Sequence, residues 1–357
     1  MREPMEHGSG VWGSGVGGPA TRGSDVPEPE VWMARVLVTG AAGRLGTAVL
    51  AELAGRGVSV TALVAEDAGH AGDTGELRAD RVVVGDARDP VAVADALDGV
   101  DAVIHLAALA SPEVAAPEVV FGTNTQATFV VLNEAGRAGV RRAVLASSLS
   151  VTGLPFARST PRPQPAYLPL DTELPLRIED PYALSKQVDE ATAAMMHRRH
   201  GMTAVALRLP FLGDPDRLAG HAARLAGDPA SGAAEVWSYL DLRDAARACV
   251  LGLTASGVTG APVLFVAAPD TLSATPTREL VASHLPDVPC RATFPERSVP
   301  IDLAPARRLL GFSARHPYPI AGGPNSGEPQ EDSPAKQPDS GGTRHADRPS
   351  YPQERTS

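Results

Sequence analysis

The sequence predicts an α/β fold: a doubly wound parallel sheet with helices on both faces, followed by a smaller and less regular C-terminal lobe. Three observations lead there. Runs rich in Val, Ile and Leu recur at Val36–Thr39, Val58–Val64, Arg81–Val84, Ala102–His105, Ala143–Ser147 and Thr203–Arg208, with Ala-rich helical stretches between them. That alternation is the signature of a parallel sheet with crossover helices. The strands show little polar alternation, as strands covered on both faces require. Beyond about residue 209 the pattern breaks up and Pro and Gly become frequent, so the later chain is expected to build the second lobe.

The chain has 357 residues, enough for one large or two modest domains. Apolar residues make up 43% and charged residues 21%, near the globular average, which excludes collagen-like, coiled-coil and wholly disordered classes. The formal net charge of −10 disfavours nucleic acid as a partner. Cys249 and Cys290 are the two cysteines, too few for a disulfide scaffold or a Cys-built metal site, and the histidines form no spaced ligand motif. His197 and His200 near a helix end read as exposed, and no metal is expected.

Residues 1–33 carry seven glycines and no apolar periodicity, and 321–357 contain six prolines and no Leu, Ile, Val, Phe or Met. Both ends are expected to be disordered. Met33 directly precedes the first strand and reads as an alternative start. No signal-peptide core or membrane-span-length apolar run is present, so the expectation is a cytoplasmic folded unit at 34–320.

The first strand runs into Thr39-Gly40-Ala41-Ala42-Gly43-Arg44-Leu45-Gly46, and a helix is expected over Thr47–Ala54. Glycines there permit a tight turn and a close approach of backbone to a pyrophosphate, and the helix N-terminus offers unpaired N–H groups to that anion. The turn therefore points to a dinucleotide, NAD or NADP. The acid that often ends the second strand and contacts the ribose is missing, since the chain reads Leu63-Val64-Ala65 with Glu66 and Asp67 beyond. Arg44 reads either as a partner for a 2′-phosphate or as a solvated helix-start residue. After the third strand, Asp86 and Ala87 in GDARD offer either an adenine contact or an ordinary cap. Leu106, Ala107 and Ala108 end the fourth strand with small groups that let a cofactor pass, and His105 reads as a packed strand-end residue.

Asp180-Pro181-Tyr182-Ala183-Leu184-Ser185-Lys186 opens a helix expected to continue through about His197, with Pro181 suited to its first turn. Tyr182 and Lys186 are four apart and share a face. A cation beside a phenol favours the phenolate, making tyrosine a usable acid/base near neutrality. The residue type is informative: 32 basic residues include two lysines, Lys186 and Lys336. In a chain that otherwise uses arginine, a lysine at this spacing points to a role for that residue type. Upstream, Ala143–Ser150 is a strand ending in hydroxyls able to bond a substrate oxygen.

These motifs, with Asn124 in GTNTQAT, Ser148 in ASSLSVTG, Leu207-Arg208-Leu209-Pro210, Tyr239-Leu240-Asp241-Leu242-Arg243-Asp244 and the Asp302 to Gly311 stretch, occur in an order that resembles the extended short-chain dehydrogenase/reductase family, also called the NAD-dependent epimerase/dehydratase family. The resemblance covers about 34–315. It implies a Rossmann-like dinucleotide-binding domain at 34–208 with 237–268 returning to it, and a substrate-binding lobe from 209–236 and 269–320. It implies a catalytic set of Ser148, Tyr182, Lys186 and Asn124: Tyr182 as acid/base, Lys186 as a ribose-binding partner of that tyrosine, Ser148 as the group orienting the substrate oxygen, and Asn124 near the cofactor, with Tyr182 and Lys186 also cofactor-binding. It also allows a homodimer through the helices carrying Asn124 and Tyr182.

Two positions depart from members that act on nucleotide sugars. Phe211 stands where an asparagine commonly meets the substrate diphosphate, and Trp237 where an arginine often stands. Both remove phosphate ligands, and both are expected to add aromatic surface to the substrate site. Arg217 and Arg224 remain as basic side chains of the intervening segment. The leading expectation is an NAD(P)-dependent oxidoreductase acting on a small hydroxyl or carbonyl compound, such as a sugar or sugar acid. The alternatives are a nucleotide-sugar epimerase or dehydratase, and, with less support, a cofactor-binding sensor without chemistry.

Overall fold

In the computed structural model, residues 33–66 and 77–320 are described, so the expectations for 1–32, Asp67 and 321–357 lie outside the described residues. The strands predicted from the Val/Ile/Leu runs all form: β1 (Arg35–Thr39), β2 (Ser59–Val64), β3 (Arg81–Val84), β4 (Ala102–His105), β5 (Arg142–Ser148) and β6 (Thr203–Leu209). They are joined by α1 (Arg44–Gly55), α2 (Pro90–Ala96), α3 (Pro117–Arg137) and α4 (Pro181–His200). The later chain adds β7 (Phe211–Gly213), α5 (Pro215–Gly227), β8 (Tyr239–Asp241), α6 (Leu242–Thr254), β9 (Val263–Phe265), α7 (Thr277–His284) and α8 (Ala304–Leu310).

Seven strands form one parallel sheet in the order β3-β2-β1-β4-β5-β6-β9. The order reverses between β1 and β4, and ligands of such sheets bind outside the strands' C-terminal ends at that switch point. One apolar cluster, including Val36, Val38, Ile104, Val144, Val205 and Leu253, packs α1, α6 and α8 on one face. A second, including Leu37, Val103, Val131, Leu145 and Met196, packs α2, α3 and α4 on the other. Strands buried on both faces explain why they read as continuous apolar runs.

A third cluster lies apart from both faces. It gathers Leu154, Leu168, Leu170, Leu218, Trp237, Tyr239, Leu272, Leu280 and Ile301 beside the two-stranded parallel ribbon β7-β8. Phe265 at the end of β9 joins it, so the last sheet strand leads directly into this packing.

Helix ends follow local chemistry. Asp180 caps α4 by accepting a hydrogen bond from Ala183 N at 2.8 Å, Pro181 occupies the first turn, and Gly201 closes the helix in the left-handed region at φ 65°.

Candidate active site

The glycine turn sits at the switch point. Gly40 has φ 64°, and a Cβ there would come within 2.7 Å of Ala107 N on the strand-end loop of β4. A Cβ on Gly46 would strike the carbonyls of Gly40 and Ala41, so this glycine lets α1 press against the turn. Gly43 is different: it is exposed, and its Cβ would meet only Gly40 O, at 3.2 Å. It leaves the mouth of the helix without a side chain. The helix starts at Arg44, three residues earlier than the sequence suggests, which brings Arg44, Leu45 and Gly46 into its first turn. Unpaired N–H groups, an exposed Arg44 and no side chain at Gly43 fit the pyrophosphate of a dinucleotide.

Two other predicted segments lie beside it. Leu106 N and Ala107 N donate to Thr39 Oγ1 at 3.2 Å each, which fixes the small-residue loop across the turn. Asp86 is engaged by its neighbour Arg88 through backbone and guanidinium hydrogen bonds of 2.8–3.0 Å, and Arg88 holds its carboxyl below the ordinary value. Ala87 between them is buried.

The tyrosine helix α4 packs along β5 and the 3-10 turn Leu149–Thr152 that follows it. Tyr182 is buried in its first turn, with the Phe156 ring edge-on at 6.0 Å between centroids. One turn on, the Lys186 ammonium lies 6.0 Å from the Tyr182 ring centroid. Ser148 ends β5, half-buried. Its Oγ accepts from Ser150 N at 3.1 Å and from Ser150 Oγ at 2.9 Å, which leaves its own hydrogen to donate outward.

Asn124 on α3 is fully buried, and its amide is committed. Oδ1 accepts from Leu109 N at 2.7 Å, while Nδ2 donates to Leu109 O at 3.1 Å and to Ser185 Oγ at 3.0 Å. Ser185 Oγ in turn donates to Tyr182 O at 2.7 Å. Asn124 thus ties α3, the loop at Leu109 and the tyrosine turn together rather than facing a ligand.

Residues 36–263 match the model of the NAD dependent epimerase/dehydratase family, which is more than half of the chain. The chain belongs to that family. Membership makes a nicotinamide dinucleotide, NAD or NADP, its cofactor. Among curated relatives, it is 32% identical over 175 residues to a uronate dehydrogenase of Pseudomonas putida, covering 49% of this chain and 60% of that protein. It is 33% identical over 185 residues to an L-arabinose 1-dehydrogenase (NAD(P)(+)) of Haloferax volcanii, covering 50% and 68%. Across the curated relatives the match spans about a third to two thirds of their lengths. A solved short-chain dehydrogenase/reductase superfamily protein from Agrobacterium tumefaciens with bound NAD superposes at a TM-score of 0.58 with 26% identity, covering 80% of this chain and 93% of that one.

One expectation for this family member needs correction. Trp237 adds no aromatic surface to a substrate site. It is 1% exposed, and its Nε1 donates to Pro229 O at 2.7 Å. Val236 and Trp237 are consecutive left-handed residues at φ 46° and 53°, and that backbone turns the indole into the lobe's core. Phe211 is half-buried at the start of β7. Its ring stacks on His221 at 3.9 Å, and the exposed Arg217 lies 4.7 Å from its centroid. Burial, then Arg224, lowers the His221 pKa to about 4, so that ring is neutral near pH 7.

Motif reading missed a buried polar network under the tyrosine helix. His105 is neutral because burial, reinforced by the charge of Lys186, lowers its pKa to about 3. Its ring nitrogens lie 2.8 Å from Thr39 Oγ1 and 3.0 Å from Thr128 Oγ1. Asp189 meets Lys186 Nζ at 3.2 Å. Glu190 accepts two hydrogen bonds from Arg208 and one from Ser147. Asp189 and Glu190 fall three and four residues after Lys186, so helical spacing alone would have brought them to attention. Among the described residues no cluster of ligating side chains could hold a metal ion, and no helix is long and apolar enough to cross a membrane.

Proposed function

We propose that this protein is an NAD(P)-dependent dehydrogenase of a small sugar or sugar acid. The observation that carries the reading is the Tyr182–Lys186 pair in the first turns of α4, the helix that packs on β5 and on the 3-10 turn capped by Ser148. The bound cofactor supplies the hydride chemistry at its nicotinamide ring. Tyr182 exchanges the proton of the substrate hydroxyl, and Ser148 donates its free hydrogen to the same oxygen. Lys186 stabilises the phenolate form and reaches the cofactor's ribose. Gly40, Gly43, Arg44, Leu45 and Gly46 cradle the pyrophosphate, while Asp86, Ala87, Leu106, Ala107 and Ala108 border the nucleotide. Asn124 acts as a positioning residue through Ser185 and Leu109.

We also propose that residues 34–208 with 237–268 bind the cofactor and that 209–236 with 269–320 cover the substrate. The apolar cluster around Trp237 and Tyr239 moves those bounds in two places: Leu154, Leu168 and Leu170 pack in it, with Leu168 and Leu170 bridging to Cys290 and Ile301, and so do Trp237, Tyr239 and Phe265, so these stretches belong to the second lobe's core. Phe211 places an aromatic face, flanked by the Arg217 cation, in that lobe, a combination suited to a sugar ring bearing a carboxylate. The dehydrogenase names of the relatives favour this reading over epimerisation. A homodimer through α3 and α4 is supported by Val119, Phe129 and Leu184, which are 46%, 44% and 42% exposed.

The test is a panel of uronates, aldoses and UDP-sugars with NAD⁺ and NADP⁺, read by net formation of reduced nicotinamide. Net reduction with a free sugar or uronate is expected. Interconversion of UDP-sugars without net reduction would replace the reading with epimerase chemistry.

A further inference from the structure

We propose that Asp189 is a positioning residue for the Tyr182–Lys186 pair: its carboxylate anchors the Lys186 ammonium from below and sets the pH range over which the pair works. This rests on the dehydrogenase reading for its consequence, but the pairing itself does not.

The geometry is specific. Lys186 Nζ and Asp189 Oδ2 are 3.2 Å apart, and the two side chains are 4% and 1% exposed. A buried ammonium is costly unless an anion accompanies it. The groups facing Lys186 can be named. On α4 they are Tyr182, Asp189 and Glu190. Glu190 is neutralised by a bidentate bond from Arg208 on β6, with N···O distances of 2.9 and 2.8 Å. On β4 the facing group is His105, held neutral. From α3, Thr128 bonds His105 and lies against the Asp189 carboxyl. Asp189 is therefore the one carboxylate left to face the ammonium among the described residues; burial raises its carboxyl above the ordinary value, and the Lys186 charge opposes that rise. Burial alone would drive the lysine toward its neutral form. Asp189 first, then Tyr182 and Glu190, more than offset this and raise it above its ordinary value.

The consequence has a definite sign. A neighbouring negative charge makes every proton nearby harder to remove. Asp189 thus keeps Lys186 charged beside Tyr182. Removing the charge with the shape kept, as in Asp189→Asn, must lower the pH at which Lys186 loses its proton.

The sequence makes this measurable without turnover. Lys186 and Lys336 are the chain's two lysines, so protein labelled with 13C at lysine Cε gives two signals, assigned with Lys336→Arg. In the wild-type protein Lys186 is expected to titrate above Lys336, which serves as an internal reference; Lys186 titrating at or below Lys336 would overturn the proposal. In Asp189→Asn, Lys186 is expected to titrate below Lys336, and an unchanged titration would count against it. If that variant does not fold, the same titration is read in Asp189→Glu, which keeps the charge and should leave Lys186 above Lys336; a drop below Lys336 there would refute the role. On a confirmed substrate, Asp189→Asn should shift the basic limb of the kcat–pH profile, where Lys186 loses its charge, down by about one pH unit, and Asp189→Glu should restore it. A purely structural aspartate would lower the rate at every pH and leave the limb in place, which would refute the role. If the lysine titration behaves as expected and no sugar is oxidised, the pairing stands and the functional reading fails.

Discussion

Glu190 and Arg208 form a fork-to-fork ion pair between the tyrosine helix and the sheet, with N···O distances of 2.9 and 2.8 Å and side-chain exposures of 9% and 5%. Ser147 adds a third hydrogen bond to Glu190 at 2.6 Å, and the Arg208 guanidinium stacks 5.3 Å from the Phe265 centroid. Strand β5, strand β6, helix α4 and the entrance to the second lobe thus meet at one carboxylate.

Breaking that pair leaves a buried charge without its partner. Glu190→Gln is expected to cost about 3–5 kcal/mol of folding stability, the range typical of severed buried ion pairs. Chemical denaturation measures it. A cost below about 1 kcal/mol, the level of a surface pair, would show that water reaches Arg208 in solution.

Much of the fold was legible because its elements are local. Strands buried on both faces announce themselves as apolar runs, and Pro181 with Asp180 marks the start of α4. The site was legible where it is built from one segment, as in the glycine turn and the Tyr182–Lys186 spacing, the latter sharpened by a sequence that otherwise uses arginine. Contacts set by sheet register were not. Thr39 and His105 are 66 residues apart in sequence and become neighbours because β1 and β4 pair Thr39 with His105. Trp237 misled for a related reason. Its position in the motif suggested a substrate-facing side chain, but two successive left-handed residues turn it inward, and neither Val nor Trp signals such a backbone.

His105 gives a pH-dependent prediction. In the unfolded chain it takes up a proton as pH falls through about 6.5. In the folded protein it stays neutral down to about 3. Between those values unfolding takes up a proton, so stability falls as pH is lowered, by about 1.4 kcal/mol per pH unit. Above 6.5 the contribution is complete and flat. His105→Gln should remove this slope. Urea midpoints for both proteins between pH 7 and pH 4.5 provide the measurement, and parallel curves would show that His105 is charged in the fold.

The glycine turn separates folding from binding. Gly46→Ala drives a methyl into the carbonyls of Gly40 and Ala41, so it should destabilise the cofactor-free protein by about 1–3 kcal/mol. Gly43→Ala meets only Gly40 O, at 3.2 Å, so thermal stability without cofactor should stay close to wild type. The same methyl occupies the space at the N-terminus of α1, and NAD⁺ affinity should fall roughly tenfold or more, about 1.4 kcal/mol. Calorimetric titration distinguishes the two variants. Equal effects on folding would mean that the three glycines serve only the turn.

The role of Tyr182 is tested by removing one oxygen. Tyr182→Phe keeps the ring against Phe156 and deletes the hydroxyl proposed to exchange the proton. Proton transfer by a positioned side chain is worth about 10²–10⁴-fold, so kcat should fall by that factor, while affinity for NAD⁺ should change little. Loss of an interaction made only in the transition state lowers kcat and kcat/KM together, which distinguishes catalysis from substrate binding. Lys186→Arg should preserve a positive charge but not the geometry, because the planar guanidinium cannot place a single compact charge both on Asp189 and beside the phenol. Its kcat should therefore fall as well. If Lys186→Arg were fully active, charge alone would suffice, and the lysine in this arginine-rich chain would need another explanation.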